Sequence, residues 1–95
     1  MRVELSGEAD ADLDSIAEYT IREHGPQQAR NYVGSLVARI EALALEPVGR
    51  RTDGLDPAVL RIRHGAHFLF FRVHTDRVTI LRVLHVRQDA VRHLG

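Results

Sequence analysis

The stretch Arg22-Glu23-His24-Gly25-Pro26-Gln27-Gln28-Ala29 (REHGPQQA, residues 22–29) decides how this chain folds. Glycine closes helices because it adopts backbone angles that other residues avoid. Proline opens them because the N–H it lacks has no partner in the first turn. With the two residues adjacent, one helix stops and the next starts without a linker. So short a connection forces the two helices to run antiparallel as a hairpin.

Working upstream, Ala9, Leu13, Ile16, Ala17 and Thr20 recur at helical spacing and form one apolar stripe. Ser6 stands before it as the N-cap, its hydroxyl able to accept from an orphan amide one turn in. Glu8, Asp10, Asp12 and Asp14 fall in the first turns, where the helix dipole favours negative charge. They read as a solvated, dipole-complementing face rather than a metal site. Before the helix, Val3-Glu4-Leu5 alternates as a short strand. Working downstream, Ala29, Tyr32, Val33, Leu36, Val37, Ile40, Leu43 and Ala44 give a second helical stripe that ends before Pro47.

The segment EPVGRRTDGLDP (46–57) is turn-rich and aperiodic, and reads as a loop. Strands are predicted over 59–64, 67–73 and 78–86, joined by a tight Gly65-Ala66 hairpin and by His74–Arg77. The expected fold class is α+β. Residues 1–95 make one domain: a strand, an antiparallel helical hairpin, then a three-stranded antiparallel meander, with the helices on one sheet face.

Length and composition narrow the function classes. Ninety-five residues supply one core but not two. No apolar run approaches the roughly 20 residues that span a bilayer, and the N-terminus lacks a signal-peptide pattern, so no membrane association is expected. There is no cysteine, hence neither a disulfide framework nor a thiolate metal site. The cytoplasm is the expected compartment. Charge is neutral overall but uneven. Through Pro47 there are nine acids and four arginines; from Val48 onward there are four acids, nine arginines and five of the six histidines. That asymmetry points to an anionic or acidic partner for the C-terminal half. A GC-rich genome accounts for the absence of lysine more readily than chemistry does, so the positions of the arginines are informative and their identity is not.

Side chains alternate across a strand. Arg61 and Arg63 therefore share one face, and Leu60, Ile62 and His64 the other. With Leu60, Ile62, Phe68 and Phe70 turned to the helices, Arg61, Arg63 and His67 are expected on the uncovered face. The last strand is apolar on both sides, which suits an interior position. Its His85 is expected to share a face with Thr79, Leu81 and Val83, with Arg87 continuing the series. Such a face could hold phosphate or carboxylate, or could be an ordinary solvated sheet surface. No histidine pair has metal-ligand spacing on a helix, and there is neither a glycine-rich phosphate loop nor a nucleophile elbow. No metal or cofactor is expected. Tyr19 and Tyr32 read as packing residues beside the stripes.

Asp12-Leu13 with Ile16 and Tyr19, then Gly25, Ala29 and Tyr32, followed by Pro47, Gly49-Arg50, GAHFLFFRV (65–73) and ILRVLHVRQD (80–89), resembles the ParE toxins of the RelE/ParE superfamily. The resemblance covers nearly the whole chain in one register. It implies a toxin of a type II toxin–antitoxin pair. Such a toxin would poison DNA gyrase by direct contact and would itself catalyse nothing. It further implies neutralisation by a ParD-like ribbon-helix-helix antitoxin, and operator DNA binding only through that antitoxin. An antitoxin helix is then expected across the hairpin near Tyr19, Tyr32 and Leu36. An extended segment is expected along a sheet edge, with Arg61, Arg63, His85 and Arg87 available to its acidic residues.

The RelE branch of the same superfamily instead cuts mRNA on the ribosome. If that resemblance governed, catalysis would fall to Arg61, Arg63, His67, His85 and Arg87. The C-terminal arginine position of those nucleases falls here on Val86 and their tyrosine near Arg92, which argues against that chemistry. A third alternative is a non-toxic antitoxin partner and co-repressor.

Overall fold

The structure, a computed structural model, describes residues 1–95. In chain order it contains β1 (Arg2–Leu5), α1 (Gly7–His24), α2 (Pro26–Ala42), β2 (Arg50–Arg51), β3 (Val59–His64), β4 (His67–Val73), β5 (Arg77–His85) and α3 (Ala90–Leu94). The hairpin forms as its junction dictates. Gly25 adopts φ +87°, and its N–H closes the last turn of α1 on the Ile21 carbonyl. Pro26 then occupies the first turn of α2.

Ser6 starts α1 and also fastens it to the sheet. Its Oγ accepts from the Ala9 N–H at 3.0 Å and its hydroxyl donates to the Leu81 carbonyl at 2.8 Å. Its own N–H reaches the Ile80 carbonyl at 2.9 Å. One residue thus caps a helix and sets the helix's position over β5.

The five strands form a single sheet in the order β1-β5-β4-β3-β2. The meander β3-β4-β5 is antiparallel as expected, and β1 pairs with β5 in parallel. That places β5 between two neighbours, in keeping with its apolar character on both sides. The β3–β4 turn is a two-residue connection with Gly65 at φ +57° and Ala66 at negative φ. That pattern matches the tight hairpin whose first central residue alone needs a positive φ.

The main core lies between the hairpin and the sheet. Ala9, Leu13 and Ile16 of α1 and Leu36 and Ile40 of α2 meet Leu69, Phe71, Val78, Ile80 and Val83, with Leu60 and Ile62 packed alongside. A second, smaller cluster lies on the opposite face: Val59, Phe70 and Leu84, with Leu55, Phe68, Leu81, Ala90 and Leu94 against them.

These clusters correct the expected face assignment. Phe68 and Phe70 do not join Leu60 and Ile62. Register pairs Arg61 with Phe70 and Arg63 with Phe68, so both phenylalanines lie on the arginine face. His67 pairs with His64 and lies on the helix side. The physical reason is that β4 is apolar at nearly every position, so alternation alone cannot say which set faces which layer. In β5 a bulge intervenes: Phe70 pairs with Arg82 but Phe71 with Ile80. The extra residue, Leu81, packs on the far face while Val83 packs on the helix face, so the expected grouping of His85 with Leu81 fails.

Two elements lay outside the expectations. The loop at 46–57 contains β2, whose two residues extend the sheet beyond β3. After β5 the chain makes α3, with Asp89 as N-cap accepting from the Val91 N–H. Asp12, read as part of a solvated acidic face, is largely buried. It holds Arg82 through two hydrogen bonds of 2.8 and 2.9 Å and accepts the Val83 N–H at 2.8 Å. No helix is long and apolar enough to cross a membrane.

Candidate functional site

The sheet separates the predicted functional side chains into two groups. Tyr32, His67 and His85 converge on the helix side, at the end of the sheet where the β3–β4 turn and the end of β5 meet. Arg61 and Arg63 lie on the other face.

The helix-side group is built around the Tyr32 hydroxyl. It accepts from the Ala66 N–H at 3.2 Å, and lies 2.6 Å from His67 Nδ1 and 3.4 Å from the His64 carbonyl. We assign the short contact to Tyr32 donating to His67 Nδ1, because a phenol is the better donor and an imidazole nitrogen the better acceptor; the His67 hydrogen is then on Nε2. Ser35, one turn further along α2, donates to the Tyr32 carbonyl at 2.6 Å and accepts from His64 Nε2 at 2.9 Å. Gly65 must be glycine here twice over. Its φ is positive, and a Cβ would come within 2.9 Å of the Tyr32 ring and hydroxyl. Tyr32 is therefore more than the packing residue expected: it pins α2 to the β3–β4 turn.

Burial, reinforced by the neighbouring His85 and partly opposed by Asp12, pushes the His67 imidazole down to about 4. It is neutral near pH 7. Burial likewise raises the Tyr32 phenol, so this pair neither ionises readily nor forms an ion pair. The His67 and His85 rings meet edge to face, 5.4 Å between centroids at 83°.

His85 is fixed by the turn that follows it. Its Nδ1 accepts the Arg87 N–H at 3.1 Å, its N–H donates to Gln88 Oε1 at 2.7 Å, and its carbonyl accepts from the Gln88 N–H at 2.9 Å. The Val86 N–H reaches the Ala66 carbonyl, tying this turn to the β3–β4 hairpin. A cleft of about 530 Å³ opens between the hairpin and this end of the sheet, with Tyr19, Tyr32, His67 and His85 on its wall. Tyr19 is 56 % exposed, whereas Leu36 is fully buried. Leu36 therefore cannot serve as the surface contact expected of it, because it sits on the stripe of α2 that enters the core.

On the other face, the Arg61 guanidinium stacks over the Phe68 ring at 4.4 Å. Arg50 of β2 lies directly opposite Arg61. Arg63 donates to the Gly65 carbonyl at 3.0 Å. None of the three reaches a carboxylate within ion-pairing distance, whereas Arg2, Arg72, Arg77 and Arg82 all do. Like charges facing each other across two strands repel, and the three arginines form a cationic patch without an internal counter-ion. Arg87 is exposed at the turn after β5. His85, at the strand end, borders both the cleft and the depression beside Arg61 under α3. Arg50 was missed because β2 is too short to show periodicity. The signal in reach was the doublet Arg50-Arg51 in a loop otherwise rich in turn residues.

The whole chain can be compared with known proteins on this geometry. The family model described as ParE toxin of type II toxin-antitoxin system, parDE, matches residues 3–90. Toxin ParE1 of Caulobacter vibrioides is 41 % identical over 92 residues, spanning 96 % of this chain and 95 % of the relative. Toxin ParE1 of Mycobacterium tuberculosis is 36 % identical over 92 residues, 95 % of this chain and 94 % of the relative. Toxin ParE of Escherichia coli is 34 % identical over 93 residues, 96 % and 90 % respectively. Among solved structures, the chromosomal ParDE TA system from P. aeruginosa superimposes with a TM-score of 0.79 at 27 % identity, covering 92 % of this chain and 97 % of that one. The toxin–antitoxin complex RelBE2 from Mycobacterium tuberculosis shares the fold, with a TM-score of 0.64 at 23 % identity over 88 % of this chain and 95 % of that one. With its helical hairpin, its five-stranded sheet and nearly its full length matched, this chain belongs to the ParE toxin family of type II toxin–antitoxin systems.

Proposed function

We propose that this toxin acts in the cytoplasm on DNA gyrase by direct protein contact, without catalysis of its own, and is silenced by a ParD-like ribbon-helix-helix antitoxin that also carries the pair to operator DNA. The observation that carries the contact reading is the division of the candidate nuclease residues. Cleavage of RNA by its 2′-hydroxyl needs a base, an acid and charge-stabilising cations around one phosphate. Here Arg61 and Arg63 lie on one face of the sheet, while His67 lies on the other, neutral and hydrogen-bonded to Tyr32. The sheet thus keeps Arg61 and Arg63 apart from His67, and those three do not surround one phosphate. The arginine patch over Phe68, free of internal carboxylates, suits a docking surface instead.

The experiment is controlled expression in cells. Accumulation of covalently trapped, cleaved plasmid–gyrase complexes, with filamentous growth, is the expected result. Rapid mRNA cleavage with intact chromosomes would overturn the gyrase reading in favour of the nuclease. A silent phenotype would leave the antitoxin-partner role standing in place of toxicity.

A further inference from the structure

The cleft on the helix side contains two imidazoles whose hydrogens are assigned by their neighbours. Tyr32 donates to His67 Nδ1 and the Arg87 N–H donates to His85 Nδ1. A ring that carries a single hydrogen therefore carries it on Nε2, and neither Nε2 hydrogen-bonds within the chain. The rings are held 5.4 Å apart by their edge-to-face contact. The remaining wall offers Tyr19, Tyr32, His24 and Gln28, and no carboxylate. Asp12, the acid whose charge reaches His67, is engaged by Arg82 and by the Val83 N–H.

Two imidazole donors beside two tyrosine rings, in a cleft without an acid, form a receptor for a group that accepts on two oxygens. A neutral carbonyl would take one donor. A carboxylate takes both and grows stronger as either ring gains a proton. We propose that this cleft receives the carboxylate of an aspartate or glutamate of the antitoxin, gripped between His67 and His85, with its methylene stem packed on Tyr19 and Tyr32. The inference rests on the antitoxin reading above and names the anchor within it.

Linkage gives the signature. A docked carboxylate favours imidazolium, so the complex takes up a proton as it forms and its affinity rises as pH falls from 8 to 6. The groups facing His67 are His85 and His64 from the sheet, Tyr32 from α2 and Asp12 from α1. His24 of α1 borders the same cleft, and Arg87 follows His85 at its rim.

The test uses the full chain and the purified product of the adjacent reading frame. Calorimetric titration at pH 6, 7 and 8, in buffers of different ionisation enthalpy, measures affinity and proton uptake together. The expected result is uptake approaching one proton and binding about tenfold tighter at pH 6 than at pH 8. His85→Gln removes most of that dependence while the chain stays folded. Binding without proton uptake, unaltered by His85→Gln, overturns the carboxylate anchor and leaves the toxin–antitoxin reading intact. Failure of the two proteins to bind at any pH overturns both. The wild-type proton count needs no variant, so the inference is tested even if a substitution disturbs folding.

Discussion

The two faces of the sheet solve different problems with the same strands. The helix face buries eleven core residues in one cluster, and its polar side chains are tied to one another: Tyr32 to His67, Ser35 to His64, Asp12 to Arg82. The far face buries three, roofed in part by the short helix α3, and leaves Arg50, Arg61 and Arg63 without a carboxylate. One face pairs most of its polar side chains internally; the other leaves three arginines without an internal counter-ion. Stability should therefore respond to changes in the core of the first face, and hardly at all to loss of the arginines on the second.

The sharpest test of that division is Phe71→Ala. Phe71 is fully buried in the larger cluster, and its truncation should cost about 3–5 kcal/mol in urea unfolding. A loss below about 1 kcal/mol would mean the helix face is not the main source of stability. Next comes Asp12→Ala, which leaves the largely buried Arg82 guanidinium with only the exposed Glu8 and the Val83 N–H without its acceptor; about 3 kcal/mol should be lost. Gly65→Ala follows at about 2 kcal/mol, combining a positive φ with a collision against Tyr32. A cost near zero would show that Tyr32 yields easily and does not pin the turn.

How much of this was legible beforehand differs between the faces. The hairpin could be read because Gly25-Pro26 acts locally, and the strands because Gly65-Ala66 and His74–Arg77 punctuate apolar runs. What resisted reading was non-local. The apolar run Phe68–Phe71 fits either face equally, and only pairing with β3 decides between them. The bulge at Leu81 leaves no trace in composition, and Asp12 looks like its exposed neighbours until Arg82, 70 residues away, is folded against it. Of the candidate site residues, Tyr32, His67 and His85 do converge, but Arg61 and Arg63 do not join them and Leu36 is interior. Their separation follows from the β4 register, which sequence alternation could not settle.

A smaller effect bears on His67. Its folded value near 4 lies below the roughly 6.5 of an unfolded histidine, so the unfolded chain takes up the proton first. Stability from this group is complete above about pH 6.5 and declines as pH falls towards 4. Because His67 is only partly buried, solvent screening trims this contribution; the urea midpoint should drop across that window, and His67→Gln should flatten the drop. An unchanged slope in the variant would place the titration elsewhere. The smallest expected change in stability is that of the double substitution Arg61→Ala with Arg63→Ala: within about 0.5 kcal/mol of the parent, yet with growth inhibition lost. Retained toxicity would mean that the arginine face is not the target surface.

The parallel pairing of β1 with β5 has a consequence for how the protein is made. Arg2–Leu5 are made well before Arg77–Ile80, their only sheet partners. The contacts that seal the sheet thus span almost the whole chain, an arrangement that slows folding because the longest loop must close before it is rewarded. Until Arg77–Ile80 have been made, the first strand has no place to go. Whatever this toxin does to its host, it acquires that ability only once β5 has been made and paired.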